Sequence, residues 1–307
     1  MVEKVTSVAP LPDAALLRDE RVEVAGLGLK LRLWGDPSLP LVILQHGGKD
    51  HGRSWDWTVE ALRDIRCIAV PDLRGHGDSD WAPGGSYAFA DMVTDFGAHV
   101  QHLESLGFTP PFDVIGHSFG GNITLHYTAA FGDKVRSLIA MEGLGFSQES
   151  YDKMMAKPTS ERLREIVEKR LKAQDRKPRR FDTQDEGIAR MTALHQQLHP
   201  DQARHLATHA LRSFDDGYGW KYDPGLGLTE WRPTPPVEYG RLYADIPCPV
   251  LLVYGKESWA TSPASDGRME PFQNVRLFEV EGAGHWPHHD QFGPFIAAVR
   301  EFLETSP

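Results

Sequence analysis

A serine hydroxyl held at a sharp strand-to-helix turn is positioned to attack a carbonyl. The run Val114-Ile115-Gly116-His117-Ser118-Phe119-Gly120-Gly121 has the composition of such a turn. An apolar strand, Phe112 to Ile115, leads in, and a helix-like stretch, Asn122 to Ala130, leads out. Small residues on both sides of Ser118, Gly116 and Gly120, leave room for the strained backbone that a nucleophile elbow needs. The hydroxyl then lies at the positive end of the following helix. A serine is a weak nucleophile until a base takes its proton. The candidate base is His285, in Val280-Glu281-Gly282-Ala283-Gly284-His285-Trp286, where two glycines let the loop reach over a sheet edge. The developing oxyanion needs preset backbone donors. Leu41 to Gln45 reads as a strand ending in His46-Gly47-Gly48, so the amide of Gly48 is the expected first donor and that of Phe119 the second. Gly47 beside it would border the substrate. His46 is expected to brace this loop by hydrogen bonding rather than to catalyse. Together these residue types specify acyl transfer through a serine.

The elements that must hold these groups are legible from hydrophobic period. Arg21 to Val24 and Leu27 to Trp34 alternate apolar and polar residues and read as a β-hairpin. Short apolar runs follow: Leu41 to Leu44, Cys67 to Val70, Phe112 to Ile115, Val135 to Met141, Val250 to Tyr254 and Val275 to Val280. Such runs suit strands buried on both faces of a mostly parallel sheet. Helical stripes lie between them, as in Phe89, Met92, Val93, Phe96, Val100 and Leu103, and in Phe292, Phe295, Ile296, Val299 and Phe302. Alternation of the two predicts an α/β, doubly wound sheet. From about Ser147 to Asp245 the pattern holds amphipathic stripes, a helix start at His199-Pro200-Asp201 and a run of aromatics, with no convincing strand. This segment, 147–245, is expected to be a helical cap inserted into a core formed by 1–146 and 246–307.

Composition narrows the partners. The chain has 307 residues, 40% hydrophobic, with a formal net charge of −10, enough for a large core plus an insertion and a poor match to nucleic acid or an anionic membrane. The densest basic cluster, Arg176, Lys177, Arg179 and Arg180, is short and interrupted by Pro178. Two distant cysteines, Cys67 and Cys248, are expected to be free and buried, which suits a reducing compartment. Met1 to Asp13 shows no basic segment followed by an apolar one, and no apolar run approaches a membrane span, so a cytoplasmic protein is expected. His288 and His289 lack the spacing or cysteine partner of a metal site, and no metal or cofactor is expected.

At this point the chain resembles the α/β-hydrolase superfamily, serine-nucleophile branch. His46-Gly47-Gly48, Gly116-x-Ser118-x-Gly120 and Gly284-His285 fall in that family's order, and Pro71-Asp72-Leu73-Arg74-Gly75-His76-Gly77-Asp78-Ser79 is similar to a loop its members carry. Met141-Glu142-Gly143-Leu144-Gly145 and Gly284 to Asp290 are similar to the serine-hydrolase-like group. The resemblance implies a triad acid, and here the chain departs from the common pattern. Many relatives place an aspartate three residues after the glycine ending the strand at Val250–Tyr254, and this chain has Ser258 there. Others place the acid after the preceding strand, where this chain has Glu142. A carboxylate ending an apolar strand needs a partner, and an imidazolium at His285 would be one. Glu142 is the leading candidate, with Glu257 and Asp266 as alternatives. The expected reaction is hydrolysis of an ester, lactone or thioester of an apolar small molecule, with Trp55, Phe146, Trp220, Trp231 and Trp286 as candidate pocket walls. A cofactor-free oxygenase or perhydrolase, and a small-molecule receptor built on the same fold, are the alternatives.

Overall fold

The computed structural model describes residues 15–83, 87–174, 178–195, 198–226 and 233–306. β1 (Leu16–Val24) and β2 (Leu27–Trp34) form the expected antiparallel hairpin. Its two-residue turn, Ala25-Gly26, has both φ angles positive, at 50° and 77°, which matches the right-handed strand twist. β3 (Leu41–Gln45), α1 (Asp56–Leu62), β4 (Cys67–Pro71), α2 (Phe89–Ser105), β5 (Phe112–His117), α3 (Phe119–Ala130) and β6 (Val135–Met141) then alternate. An insertion follows: α4 (Gln148–Met155), α5 (Thr159–Gln174), β7 (Arg180–Phe181), α6 (Gln184–Leu194), α7 (Pro200–Ala210), β8 (Leu211–Phe214), β9 (Gly217–Trp220) and α8 (Pro236–Ala244). β10 (Val250–Gly255), β11 (Val275–Val280), α9 (Pro287–Asp290) and α10 (Phe292–Thr305) close the chain.

The main sheet has eight strands in the order β1-β2-β4-β3-β5-β6-β10-β11, parallel from β4 onward. The period of two sorts its side chains cleanly. Leu41, Ile43, Cys67, Ala69, Val114, Leu138, Ala140, Val250 and Leu252 face one layer, which holds Phe96 and Val100 of α2 and Ile123 and Leu125 of α3. Val42, Leu44, Ile68, Val70, Ile115, Ile139, Leu251 and Val253 face the other, with Trp57 and Val59 of α1 and Phe295 and Val299 of α10. Both cysteines are buried and free. No helix among the described residues is long and apolar enough to cross a membrane.

Two expectations need correction. The insertion contains a three-stranded antiparallel sheet, β7-β9-β8, where no strand was expected. Its strands span two to four residues, too short for alternation to stand out. β11 was expected to be buried on both faces, but among the described residues it pairs only with β10 and is an edge strand with partly exposed residues.

Burial holds two imidazoles of this core, His76 and His99, neutral down to a pKa of about 3, with His46 adding to the effect at His76 and His102 at His99. The folded value lies below the unfolded one, near 6.5, so the unfolded chain binds more protons in acid. Stability is therefore fully present above about pH 6.5 and falls as pH drops toward 3, by about 1.4 kcal/mol per pH unit for each such histidine. Urea midpoints measured at pH 7.5 and 5 should show this loss, and a His76→Gln/His99→Gln variant should lose less. Equal slopes in the two proteins would contradict the assignment.

Candidate active site

β5 ends at His117 and α3 starts at Phe119, which leaves Ser118 alone to reverse the chain at φ 52° and ψ −118°. An L-residue in that region is strained by about 1–3 kcal/mol and persists only where its surroundings over-determine it. The surroundings explain why glycines flank it. A Cβ on Gly116 would lie 2.5 Å from Thr124 Oγ1, and one on Gly120 would lie 2.3 Å from the His46 carbonyl oxygen. The Ser118 amide donates to the Met141 carbonyl of the neighbouring strand at 2.7 Å, which ties the elbow to the end of β6.

That end carries the second strained residue. Glu142 has φ 54°, and its amide donates to Val253 O at 2.9 Å. The reversal turns the carboxylate toward the loop of His285. His285 Nδ1 lies 3.1 Å from Glu142 Oε2, and His285 Nε2 lies 2.9 Å from Ser118 Oγ. Oε2 also accepts the Ser258 hydroxyl at 2.7 Å, while Oε1 accepts the Gly255 amide at 2.7 Å. Three donors thus converge on one buried carboxylate, which is how a charge at a strand end is tolerated. Glu257 and Asp266 are not part of this chain of contacts. Glu257 is exposed, and both oxygens of Asp266 accept from Arg268 Nε at 3.0 and 2.9 Å.

The two glycines of the His-Gly-Gly loop border the elbow. A Cβ on Gly47 would lie 3.1 Å from Ser118 Cβ, and one on Gly48 would meet only Phe119 Cβ, at 3.9 Å. A side chain at Gly47 would crowd Ser118 and force it to give by a few tenths of an ångström, while one at Gly48 would make only ordinary contact with Phe119. The Phe119 amide belongs to the first turn of α3, whose N–H groups have no partner within the helix, and Ser118 makes no side-chain cap bond to them. Donors of this kind are what an oxyanion requires. His46 does brace the loop: its Nδ1 donates to Gly47 O at 2.7 Å and its Nε2 accepts the Leu73 amide at 3.0 Å. On the other flank, His117 Nε2 donates to the His285 carbonyl at 2.7 Å, which fixes the loop of His285. Burial, then the neighbouring His285, holds the His117 imidazole neutral well below its usual range. His288 is held neutral in the same way by burial and by His289.

The aromatic residues divide. Trp286 is partly exposed and stands edge-on to His195 of the insertion at 5.1 Å, beside His285 at 5.3 Å. Phe146 is 40% exposed, just past Glu142. Trp55 was expected in a pocket wall but is 0% exposed and stacks on His288 at 4.8 Å in the layer below, because its apolar surface is worth more in the core. Trp220 packs inside the insertion, stacked on Tyr222 at 6.3 Å and edge-on to Phe181 at 5.3 Å. Trp231 lies outside the described residues. Two contributors went unnoticed in the sequence. One is Ser258, in its role as donor to Glu142. The other is Trp259, 79% exposed, whose ring lies 4.6 Å from that of His285. The signal for Trp259 was its place in the loop searched for the acid.

Comparison with known proteins follows the same line. Residues 40–292 match the alpha/beta hydrolase fold. The chain is 28% identical to a pimeloyl-acyl-carrier-protein methyl ester esterase of Chromobacterium violaceum, over 87% of this chain and 95% of that one. It is 22% identical to a serine hydrolase-like protein of Dictyostelium discoideum, over 91% and 79%. Among solved structures, the thioesterase domain from the curacin biosynthetic pathway superposes with a TM-score of 0.78 at 20% identity, covering 95% of this chain and 100% of that one. An esterase from Mycobacterium tuberculosis superposes at 0.70 with 24% identity, covering 97% and 92%.

Proposed function

The chain belongs to the alpha/beta hydrolase fold family, and from that premise we propose that it is a serine hydrolase that cleaves carboxylic esters or thioesters of apolar small molecules. The observation that carries this reading is the unbroken relay of Ser118 Oγ, His285 and Glu142, with contacts of 2.9 and 3.1 Å. Ser118 Oγ attacks the substrate carbonyl while His285 Nε2 takes its proton. Glu142 holds the proton on Nδ1 and stabilises the imidazolium. The amides of Gly48 and Phe119 receive the charge on the carbonyl oxygen. His285 returns the proton to the departing alkoxide or thiolate, which leaves an acyl-Ser118 ester. Water, deprotonated by His285, attacks that ester, and the second collapse releases the acid and restores Ser118. The insertion, residues 147–245, acts as a cap, and Trp286, Trp259 and Phe146 supply an apolar wall. The names of the esterase and serine hydrolase-like relatives support the ester class.

A fluorophosphonate probe should modify one residue, located at Ser118 by peptide mass, and p-nitrophenyl esters should turn over many times, faster for medium acyl chains than for acetate. Absence of the Ser118 adduct would remove the mechanism. Labelling with a single turnover would instead favour the receptor reading.

A further inference from the structure

Away from the triad, where the inserted helix α7 meets the start of α1, three ligating side chains converge. One ligand atom from each of Asp56, His205 and His209 lies within 4.8 Å of the others. The two histidines are four residues apart on α7 and so share one helix face, with ring centroids 4.6 Å apart. Asp56, the first residue of α1, approaches from the core and is fully buried. Its Oδ2 lies 3.0 Å from His205 Nε2. We propose that Asp56, His205 and His209 form a site for a divalent transition ion of the zinc type, pinning the inserted helix to the core.

The donor set fits the ion. Two imidazoles and one carboxylate are the ligands that zinc, cobalt and nickel share, whereas magnesium and calcium take oxygen. Bonds of 2.0–2.2 Å place neighbouring ligand atoms around a tetrahedral ion about 3.3 Å apart. The contact at 3.0 Å is a few tenths of an ångström short of that spacing, and small rotations of the partly exposed imidazoles adjust it and close the rest. A hydrogen bond from His205 to Asp56 explains one contact; a third ligand atom converging on the same point is what coordination adds. Arg53 also binds the carboxylate, its Nε lying 3.0 Å from Oδ1 and 2.8 Å from Oδ2 and its Nη2 2.7 Å from Oδ2, and its carbonyl oxygen lies 3.3 Å from His205 Nε2. A carboxylate has about four lone-pair sites and the guanidinium takes three of them, two on Oδ2, so an ion competes with Arg53 for this carboxylate. Its charge does weaken the hold on a dication, which sets the expected affinity in the micromolar range rather than tighter. The fourth position is open to water or to a further ligand. Buried His51 stands close, with its ring 6.5 Å from that of His209 and its Nε2 donating to Leu206 O of the same helix at 3.0 Å. His51 follows the Gly47-Gly48 loop by three residues, so an ion here steadies both the insertion and the loop that bears the oxyanion donor.

The test uses the full chain stripped with EDTA and titrated with Zn²⁺ by calorimetry, with Co²⁺ as a spectroscopic probe. We expect one equivalent bound, a visible cobalt spectrum of four- or five-coordinate form, and a Tm rise of about 5 °C at a hundredfold excess over Kd. Mg²⁺ should do nothing. His205→Gln and His209→Gln should each weaken Zn²⁺ at least tenfold with unchanged circular dichroism. If His205→Gln misfolds, His209→Gln at its partly exposed position decides. Absence of a one-to-one event overturns the site; equal affinity in the variants also overturns it and assigns the binding to other histidines. Ser118→Ala should bind Zn²⁺ as the parent does, so this result is independent of the hydrolase reading.

Discussion

Ester turnover falls by at least three orders of magnitude in Ser118→Ala, while thermal stability stays within about 1 kcal/mol of the parent. The loss follows from the geometry. Ser118 Oγ is the atom on His285 Nε2, at 2.9 Å, and no other side-chain hydroxyl among the described residues bonds to that nitrogen. Stability is unmoved because alanine keeps the Cβ. The strain at φ 52° is therefore the same in both proteins. Ser118→Gly offers a complementary check, since glycine accepts positive φ without a steric penalty. That variant should be equally inactive and more stable by about 1 kcal/mol. Steady-state assays and thermal melts on the three proteins decide it. Retained turnover in Ser118→Ala would remove the serine from the reaction.

The second large effect is at Glu142. Glu142→Gln should lower kcat by roughly three to four orders of magnitude. The reason is a count of donors. Gly255 N–H, Ser258 O–H and His285 Nδ1–H all point at two carboxylate oxygens. An amide has one oxygen, so its NH₂ must face at least one of these donors: facing His285 it removes the acceptor that fixes the tautomer, and facing the Gly255 N–H it clashes and displaces the side chain that orients the imidazole. Ser258 suggests a rescue, because its hydroxyl shares Oε2 with His285. A carboxylate at that position approaches the same imidazole from the next strand. Adding Ser258→Asp to Glu142→Gln should recover at least tenfold of the lost kcat, whereas Glu257→Gln and Asp266→Asn should leave the parent's rate unchanged. A loss at Glu257 or Asp266 as deep as that at Glu142 would move the acid elsewhere.

These predictions rest unequally on sequence. The elbow was legible because every cause is local: an apolar strand, a helix and small residues packed within a few positions of Ser118. The same holds for Gly47-Gly48 and for the loop of His285. The two layers of the core were legible for a like reason, since alternate residues of each strand face opposite sides. Locality also explains the misses. β7, β8 and β9 are too short to display a period. The edge position of β11 depends on which strands come to lie beside it. Trp55 and Trp286 are indistinguishable as residue types, yet one is sealed in the core and the other stands between His285 and His195 of the insertion.

The sequence by itself determined the fold and singled out Ser118, His285 and the Gly47-Gly48 loop, because each stands out through residue types within a short stretch of chain. Only the tertiary structure brought Glu142 to His285, gave it Ser258 and Gly255 as donors, and joined Asp56 to His205 and His209. The contacts of Glu142 span 113 to 143 residues and the link from Asp56 to His205 spans 149. Separations of that size are closed by sheet order and helix packing, which bring strand ends together whatever the local pattern around each residue. A carboxylate shows in sequence that it needs a partner when buried; the register of β6 against β10 sets which partner it meets.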